Sequence, residues 1–247
     1  MSRPRKNVAR RKRSAAARLR PFWIVLIVLV VAGAAGGYYV TTRPGFRPAH
    51  IVVIGNHRVS RHAIAARVGL NRGINLWLQN MGAAAGRVAA IPDVGQVTIR
   101  RALPASVTIV VTERVPYAKI RSGGESAVVD MELRVLQASP QPGLPQFLVR
   151  ATLPSAGRFI KDERVMRLRD DYQRLADAHV VVATLRYDRF GDLTAVTPRG
   201  VNLLLGDDED LTRKITLIGP ILSQTAGRKI AAIDLRAPGT PVVVYRR

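Results

Sequence analysis

The chain has 247 residues, with 39 Lys/Arg against 17 Asp/Glu, a net charge of +22 at neutral pH and no cysteine. Lack of cysteine excludes a disulfide framework and any thiolate nucleophile or metal ligand, and the length allows one large domain or two small ones with cores of their own. The charge is uneven: no acid precedes Asp93, so residues 1–92 carry sixteen net positive charges, while residues 93–247 hold 23 basic and 17 acidic residues, a surplus of six. The arginines between 43 and 92 are dispersed and have few aromatics among them, so the excess reads as a solvated basic surface near a membrane. A stacking platform for specific nucleic acid is not indicated.

Residues 1–20 hold nine Lys/Arg and no acid, and Phe22–Val40 follows as nineteen residues without a charge. A helix of that length spans about 28 Å, close to the hydrocarbon thickness of a bilayer. Nine cations before the segment, against Arg43 and Arg47 just after it, put residues 1–20 in the cytoplasm and residues 43–247 across the membrane. A cleavable signal peptide is the alternative, with Ala32-Gly33-Ala34 as a cleavage site. The long basic region and the interfacial Tyr38 and Tyr39 favour an uncleaved anchor. Gly33 and Gly37 form a GxxxG spacing, which by itself is a weak signal for helix pairing.

Thr41–Pro48 reads as a linker, His50–Ile54 as a strand and Gly55-Asn56 as a turn. Ser60 is an N-cap for a helix with Ile64 and Val68 on one face, stopped at Gly69. A second, Ala-rich helix runs over about Asn80–Ala90. Val97–Arg100 and Val107–Thr112 alternate as strands around the turn Arg101–Ala105. Strand, helix, helix, strand, strand makes a self-sufficient α+β unit. Beyond it, Ala118–Arg121 and Ala127–Asp130 are short strands, and Ser139–Pro154 is broken by four prolines. Residues 162–177 form a helix with a stripe of Val165, Leu168, Tyr172 and Leu175. Val180–Tyr187, Leu193–Thr197 and Val201–Leu205 form a meander. Asp207–Thr225 is a helix with Leu211, Ile215, Ile218 and Leu222 buried, and strands at Ile230–Arg236 and about Thr240–Tyr245 end the chain. The second region is thus an α+β domain on an antiparallel sheet with two helices.

No constellation in the sequence reads as an active site. His57 and His62 are five apart across a turn, a poor metal spacing. Asp207-Asp208-Glu209-Asp210 and Asp162-Glu163 read as helix-capping acids, and Asp170-Asp171 as a solvated pair. Neither a P-loop nor a GxSxG motif is present, and no cofactor is indicated.

Several short motifs, in order along nearly the whole chain, carry a resemblance. They are Ile54-Gly55-Asn56 with Val59-Ser60, Gly73-Ile74-Asn75-Leu76, Ile91-Pro92-Asp93-Val94, Arg101-Ala102-Leu103-Pro104 and Glu113-Arg114-Val115-Pro116-Tyr117-Ala118. Later come Val129-Asp130, Gly143-Leu144-Pro145, Leu203-Leu204-Leu205-Gly206, Lys214 and Ile233-Asp234-Leu235-Arg236. Residues 46–116 resemble a POTRA domain, and 117–247 the β domain of bacterial cell-division proteins of the FtsQ/DivIB family. Met131-Glu132 departs from the pattern, which usually has glycine in the turn after Val-Asp.

The resemblance implies a non-enzymatic, single-pass scaffold of the divisome at the septal plasma membrane. It would bind FtsB-like and FtsL-like proteins and help regulate septal peptidoglycan synthesis. Partner contact would fall on Arg236, Ala237, Gly239, Thr240, Pro241, Val242, Val243, Val244 and Tyr245, where FtsB adds a strand. A second patch, Val111, Thr112, Glu113, Arg114 and Val115, corresponds to a region linked to upstream divisome proteins; a strand end carrying an exposed ion pair is the plain alternative. Independently of family, Val242–Val244 is flat, β-branched and apolar, with only Pro241 as an edge defence, so an uncovered edge there invites strand addition. An internal strand is the competing reading. Two other functions stay open at this level, a POTRA-type chaperone or transport component handling exported polypeptides and an anchored cell-wall enzyme.

Overall fold

The computed structural model describes residues 15–139 and 141–246, with backbone alone for 15–20. Most of the basic tail, residues 1–14, lies outside the described residues. Helix α1, Ala15–Thr42, includes the expected anchor and starts seven residues ahead of it. Its Pro21–Thr42 segment, 22 residues with none buried, is the one helix among the described residues long and apolar enough to cross a bilayer. It is apolar all round rather than on one face, the pattern of a membrane span. Thr41 and Thr42 extend the helix past Val40, both hydroxyls donating to the Tyr38 carbonyl at 2.9 Å. A 3-10 turn at Pro44–Phe46 follows.

Beyond α1 come β1 (His50–Ile54), α2 (Arg61–Val68), a 3-10 turn at Leu76–Leu78, α3 (Met81–Ala89), β2 (Val94–Ala102) and β3 (Ser106–Glu113). The strands form a three-stranded sheet in the order β1-β3-β2. The Ser60 hydroxyl caps α2 by accepting from the Ala63 N–H. Helix α2 stops at Gly69 in the left-handed conformation, and the Arg87 guanidinium of α3 donates to the Val68 carbonyl at 2.7 Å, satisfying the helix end. Ile64, Val68, Ala84 and Val88 are fully buried where these helices meet.

The remaining elements are β4 (Ala118–Ser122), β5 (Glu125–Val129), β6 (Val135–Leu136), β7 (Gln146–Val149), α4 (Glu163–Asp177), β8 (Thr184–Tyr187), β9 (Leu193–Val196), β10 (Asn202–Gly206), α5 (Leu211–Gln224), β11 (Ile230–Asp234) and β12 (Val242–Tyr245). Their strands make one nine-stranded sheet, β12-β11-β10-β9-β8-β7-β4-β5-β6. Five neighbour pairs are antiparallel, as the strand patterns predict. Three are parallel: β4 with β7, β7 with β8, and β10 with β11. Helices α4 and α5 are the crossovers that turn the last two parallel. Strand β7 sits inside the segment that prolines marked as irregular; Gly143 takes a positive φ and the strand begins just after Pro145.

Register explains which face is covered. One row runs Val243–Ile233–Leu203–Ala195–Leu185–Phe147–Ile120–Ala127 across eight strands, and every member is apolar. Helix α4 packs on β7 and β8, and α5 on β10. Tyr172 of α4 meets the Phe147 and Tyr117 rings edge to face at 5.7 and 5.5 Å. The adjacent row, Val244–Ala232–Asn202–Val196–Thr184–Gln146–Lys119–Val128, mixes polar with apolar residues on the other face.

The chain divides into two compact units. One holds Met1–Val52 with Leu70–Asn80 and Arg100–Thr108; the other holds Val53–Gly69, Met81–Ile99 and Ile109–Arg247. In the second, Gly55 has φ +84 and lies so close to β3 that an added Cβ would sit 2.2 Å from the Val111 carbonyl oxygen. Gly55→Ala is therefore expected to lower the urea midpoint of unfolding. The left-handed backbone alone costs about 1–2 kcal/mol for an L residue, and the carbonyl collision adds to it; an unchanged midpoint would refute this reading of the turn.

Candidate partner-binding site

Strand β12 ends the sheet and has β11 as its one neighbour among the described strands. It pairs antiparallel with β11, Val242 opposite Asp234, Val243 opposite Ile233 and Val244 opposite Ala232, with an irregularity before Tyr245 meets Ile230. Alternation sends Val243 onto the core cluster and leaves Val242 56% and Val244 47% exposed. Pro241 precedes the strand rather than interrupting it.

The far end of the strand is held, and an ion pair at the end of β11 opens the turn that leads into it. Arg236 clamps Asp234 in a bidentate pair, Nε to Oδ1 at 3.0 Å and Nη2 to Oδ2 at 2.6 Å. That guanidinium, outweighing partial burial, keeps the Asp234 carboxyl below its ordinary range. The clamp fixes the turn into Ala237–Thr240, where the Thr240 N–H donates to the Ala237 carbonyl. At the far end Arg246 donates through its backbone to Lys229 at 2.7 Å and through Nη2 to the Gly200 carbonyl at 2.6 Å. Arg228 lies 4.7 Å from the Tyr245 ring centroid and donates to its hydroxyl. Arg236, Ala237, Gly239, Thr240 and Pro241 are thus the turn entering β12, and Val242 to Tyr245 are β12 itself. The geometry offers strand pairing on a preset edge.

The 111–115 patch lies on the end of β3, in the other sheet. Val111 is buried, whereas Thr112 and Val115 are exposed. Glu113 is not the outer half of an exposed ion pair. Its carboxylate, 7% exposed, accepts from the backbone N–H groups of His57, Arg58 and Val59 at 2.8–3.0 Å and pairs with the Arg58 side chain. Arg114 reaches Asp130 and Glu132. Both side chains of the Glu113-Arg114 motif therefore stitch neighbouring loops.

Two acidic runs play roles that their sequence patterns did not indicate. Asp171 is 3% exposed, not solvated; it accepts from the Tyr187 hydroxyl and lies near Arg174. Burial pushes its carboxyl up against the opposing pull of that hydrogen bond. Asp210 adopts the left-handed conformation and makes no side-chain cap on α5. Asp207 instead receives the Nζ of Lys214, a lysine 1% exposed, at 2.9 Å. The signal for both was spacing: Asp171 follows Leu168 by three, and Lys214 follows Leu211 by three, on the buried stripes.

A concavity of about 660 Å³ is lined by Arg150, Arg164, Arg167, Arg186 and Arg189 beside Tyr187 and Phe190. Its one lining acid, Asp188, is engaged by the N–H groups of Phe190 and Asp192. No group of three or more His, Asp or Glu arranged for a metal ion occurs among the described residues.

Residues 46–114 match the family model described as "POTRA domain, FtsQ-type". A Chloroflexus aurantiacus protein named "Cell division protein FtsQ" is 28% identical over 221 residues, 85% of this chain and 77% of the relative. One of the same name from Rhizobium meliloti is 26% identical, covering 84% of this chain and 67% of the relative. A third, from Corynebacterium glutamicum, is 32% identical over 89 residues, 36% of this chain and 40% of its own length.

Glu113 yields a pH prediction. Burial works to raise its pKa, but the three backbone donors and the Arg58 charge prevail and hold it below the usual 4.5. The folded state thus binds fewer protons than the unfolded chain near that pH. Its contribution is present in full above the ordinary value and is lost as pH falls through the depressed one. Glu113→Gln is expected to cost about 1–3 kcal/mol at pH 7 and to flatten the acid-side decline. Urea titrations of purified protein between pH 3 and 7 would test it, and parallel pH profiles for the two proteins would refute it.

Proposed function

The chain belongs to the FtsQ/DivIB family of bacterial cell-division proteins, and from that premise we propose that it is a membrane-held scaffold of the division machinery. In this reading it recruits FtsB-like and FtsL-like membrane proteins through β12 and so helps regulate septal wall synthesis. The N-terminus lies in the cytoplasm and residues 43–247 outside it, as the basic flank favours. Residues 46–116 act as the POTRA domain and 117–247 as the partner-binding domain, and neither turns over a substrate. Thr112 and Val115, the exposed members of the β3 patch, are the side chains an upstream division protein would touch there.

The observation that carries this reading is an apolar, one-sided edge strand whose far end is pinned by Arg246 and whose entry turn starts at the Arg236–Asp234 ion pair. A strand already held in register loses less conformational freedom when a partner docks. Ladder bonding alone falls short: about five hydrogen bonds at roughly 1 kcal/mol net give about −5 kcal/mol. Micromolar affinity needs about −8 kcal/mol. Val242 and Val244, exposed on one face of β12, supply apolar cross-strand pairs of about 0.2–1 kcal/mol each. Partner helices in the same bilayer add effective concentration.

The test is capture of an FtsB-like protein from membranes by the full chain and by Val242→Lys/Val244→Lys. These positions leave the core row untouched, whereas Val243→Lys would confuse binding with folding. Loss of two apolar pairs and the gain of edge lysines is expected to reduce capture by at least about tenfold. Undiminished capture, together with no in-cell crosslinks from positions 236–245 to a partner, would remove the edge-strand reading.

A further inference from the structure

The unit that contains α1 also contains Leu70–Asn80 and Arg100–Thr108, and its exposed side chains have an unusual make-up. Ile74, Trp77, Leu78 and Leu103 are 45, 43, 63 and 72% exposed. The same unit holds Arg43, Arg47, Arg72, Arg100 and Arg101, and residues 41–52, 70–80 and 100–108 contain no Asp or Glu. Large apolar side chains mixed with arginine and free of acid form a poor surface for water and a good one for a lipid headgroup layer.

The loop is tied to the end of the anchor. Asn75, 4% exposed, accepts from the Trp77 N–H at 2.8 Å through Oδ1 and donates through Nδ2 to the carbonyl of Val40 at 3.1 Å. Val40 lies two residues before the end of the Pro21–Thr42 span, about 3 Å along the helix axis. Asn75 is therefore level with the bilayer boundary if α1 crosses it, and Trp77 lies within about 7 Å of Asn75 along the chain.

The loop is also locked. Gln79 donates to the carbonyls of Asn71 and Ile74 at 2.8 and 2.9 Å and accepts from the Asn71 N–H. Arg101 donates to the Gln79 carbonyl at 2.5 Å and lies 5.5 Å from the Trp77 ring centroid. At the β2–β3 hairpin, the Ala105 carbonyl accepts from the Ala49 N–H of the linker at 2.9 Å, so that the hairpin too is joined to the segment leaving the membrane.

We propose that Ile74, Trp77 and Leu78 are a membrane-interface anchor, inserted at the headgroup–acyl boundary of the bilayer that α1 crosses, with Arg43 and Arg72 facing lipid phosphates. Asn75 is the positioning residue, joining this foot to the last turn of the span. The proposal rests on α1 being transmembrane, and a two-tryptophan chain, Trp23 and Trp77, separates the two claims.

The experiment reconstitutes full-length Trp23→Phe and Trp77→Phe proteins in phosphatidylcholine–phosphatidylglycerol vesicles, with acyl chains brominated at a shallow or a deep position. In the Trp23→Phe protein, Trp77 fluorescence is expected to fall with shallow bromines more than with deep ones and to resist aqueous iodide. Iodide quenching equal to that of a free tryptophan amide, with no response to bromine, would overturn the proposal. If Trp23 is bromine-quenched in that case, the interfacial foot fails alone; if Trp23 escapes as well, the transmembrane reading fails with it.

Discussion

A single apolar row, from Val243 at one margin of the large sheet to Ala127 near the other, is the constraint on which the second unit depends. Six of its members, Ile233, Leu203, Ala195, Leu185, Phe147 and Ile120, are fully buried in consecutive strands. Burying a large side chain of this kind is worth about 1.5–3 kcal/mol, and a one-residue slip of any strand would turn its share of the row to the opposite face. Register, helix placement and the ends of the sheet all follow. Helices α4 and α5 lie on this face because their own stripes need it. The other face is left partly polar, and the row stops where β12 stops.

Polar groups were placed where they would not disturb that row. Asp171 and Tyr187 satisfy one another, and Lys214 lays its stem under α5 while its ammonium reaches Asp207. Asp93, 7% exposed, accepts from the backbone of Gln137 and Ala138 at 3.1 Å. Glu113 does the same for His57, Arg58 and Val59. Asp93 and Glu113 are thus carboxylates serving backbone donors of a loop distant in sequence. A buried acid with donors stabilises; one without them costs several kcal/mol.

Most of the elements could be read from local pattern. Ser60 caps α2, Asp162 caps α4, and the α4 and α5 stripes bury as their spacing requires. What escaped was non-local. Strand β7 has only four residues among prolines and acquires its identity from β4 and β8 on either side. Parallel pairing depends on where crossover helices return the chain, which alternation cannot encode. Asp171 was read as solvated from its charge when its helical phase placed it inside. Of the candidate edge, the β-branched apolar run Val242–Val244 was plain in the sequence, but three like residues do not say which one turns to the core. The hold on its far end was not plain, because Arg246 finds its acceptor, the Gly200 carbonyl, 46 positions away.

Only seven residues separate Thr42 from His50, three of them wound into the 3-10 turn at Pro44–Phe46. Even fully extended, such a leash reaches only about 25 Å. Where α1 spans a bilayer, the first strand cannot wander far from the lipid, and meetings with any membrane-held protein are confined to a thin layer instead of a volume. Rates in that setting depend on lateral diffusion and on density per area, which fragments cut free of α1 would not reproduce.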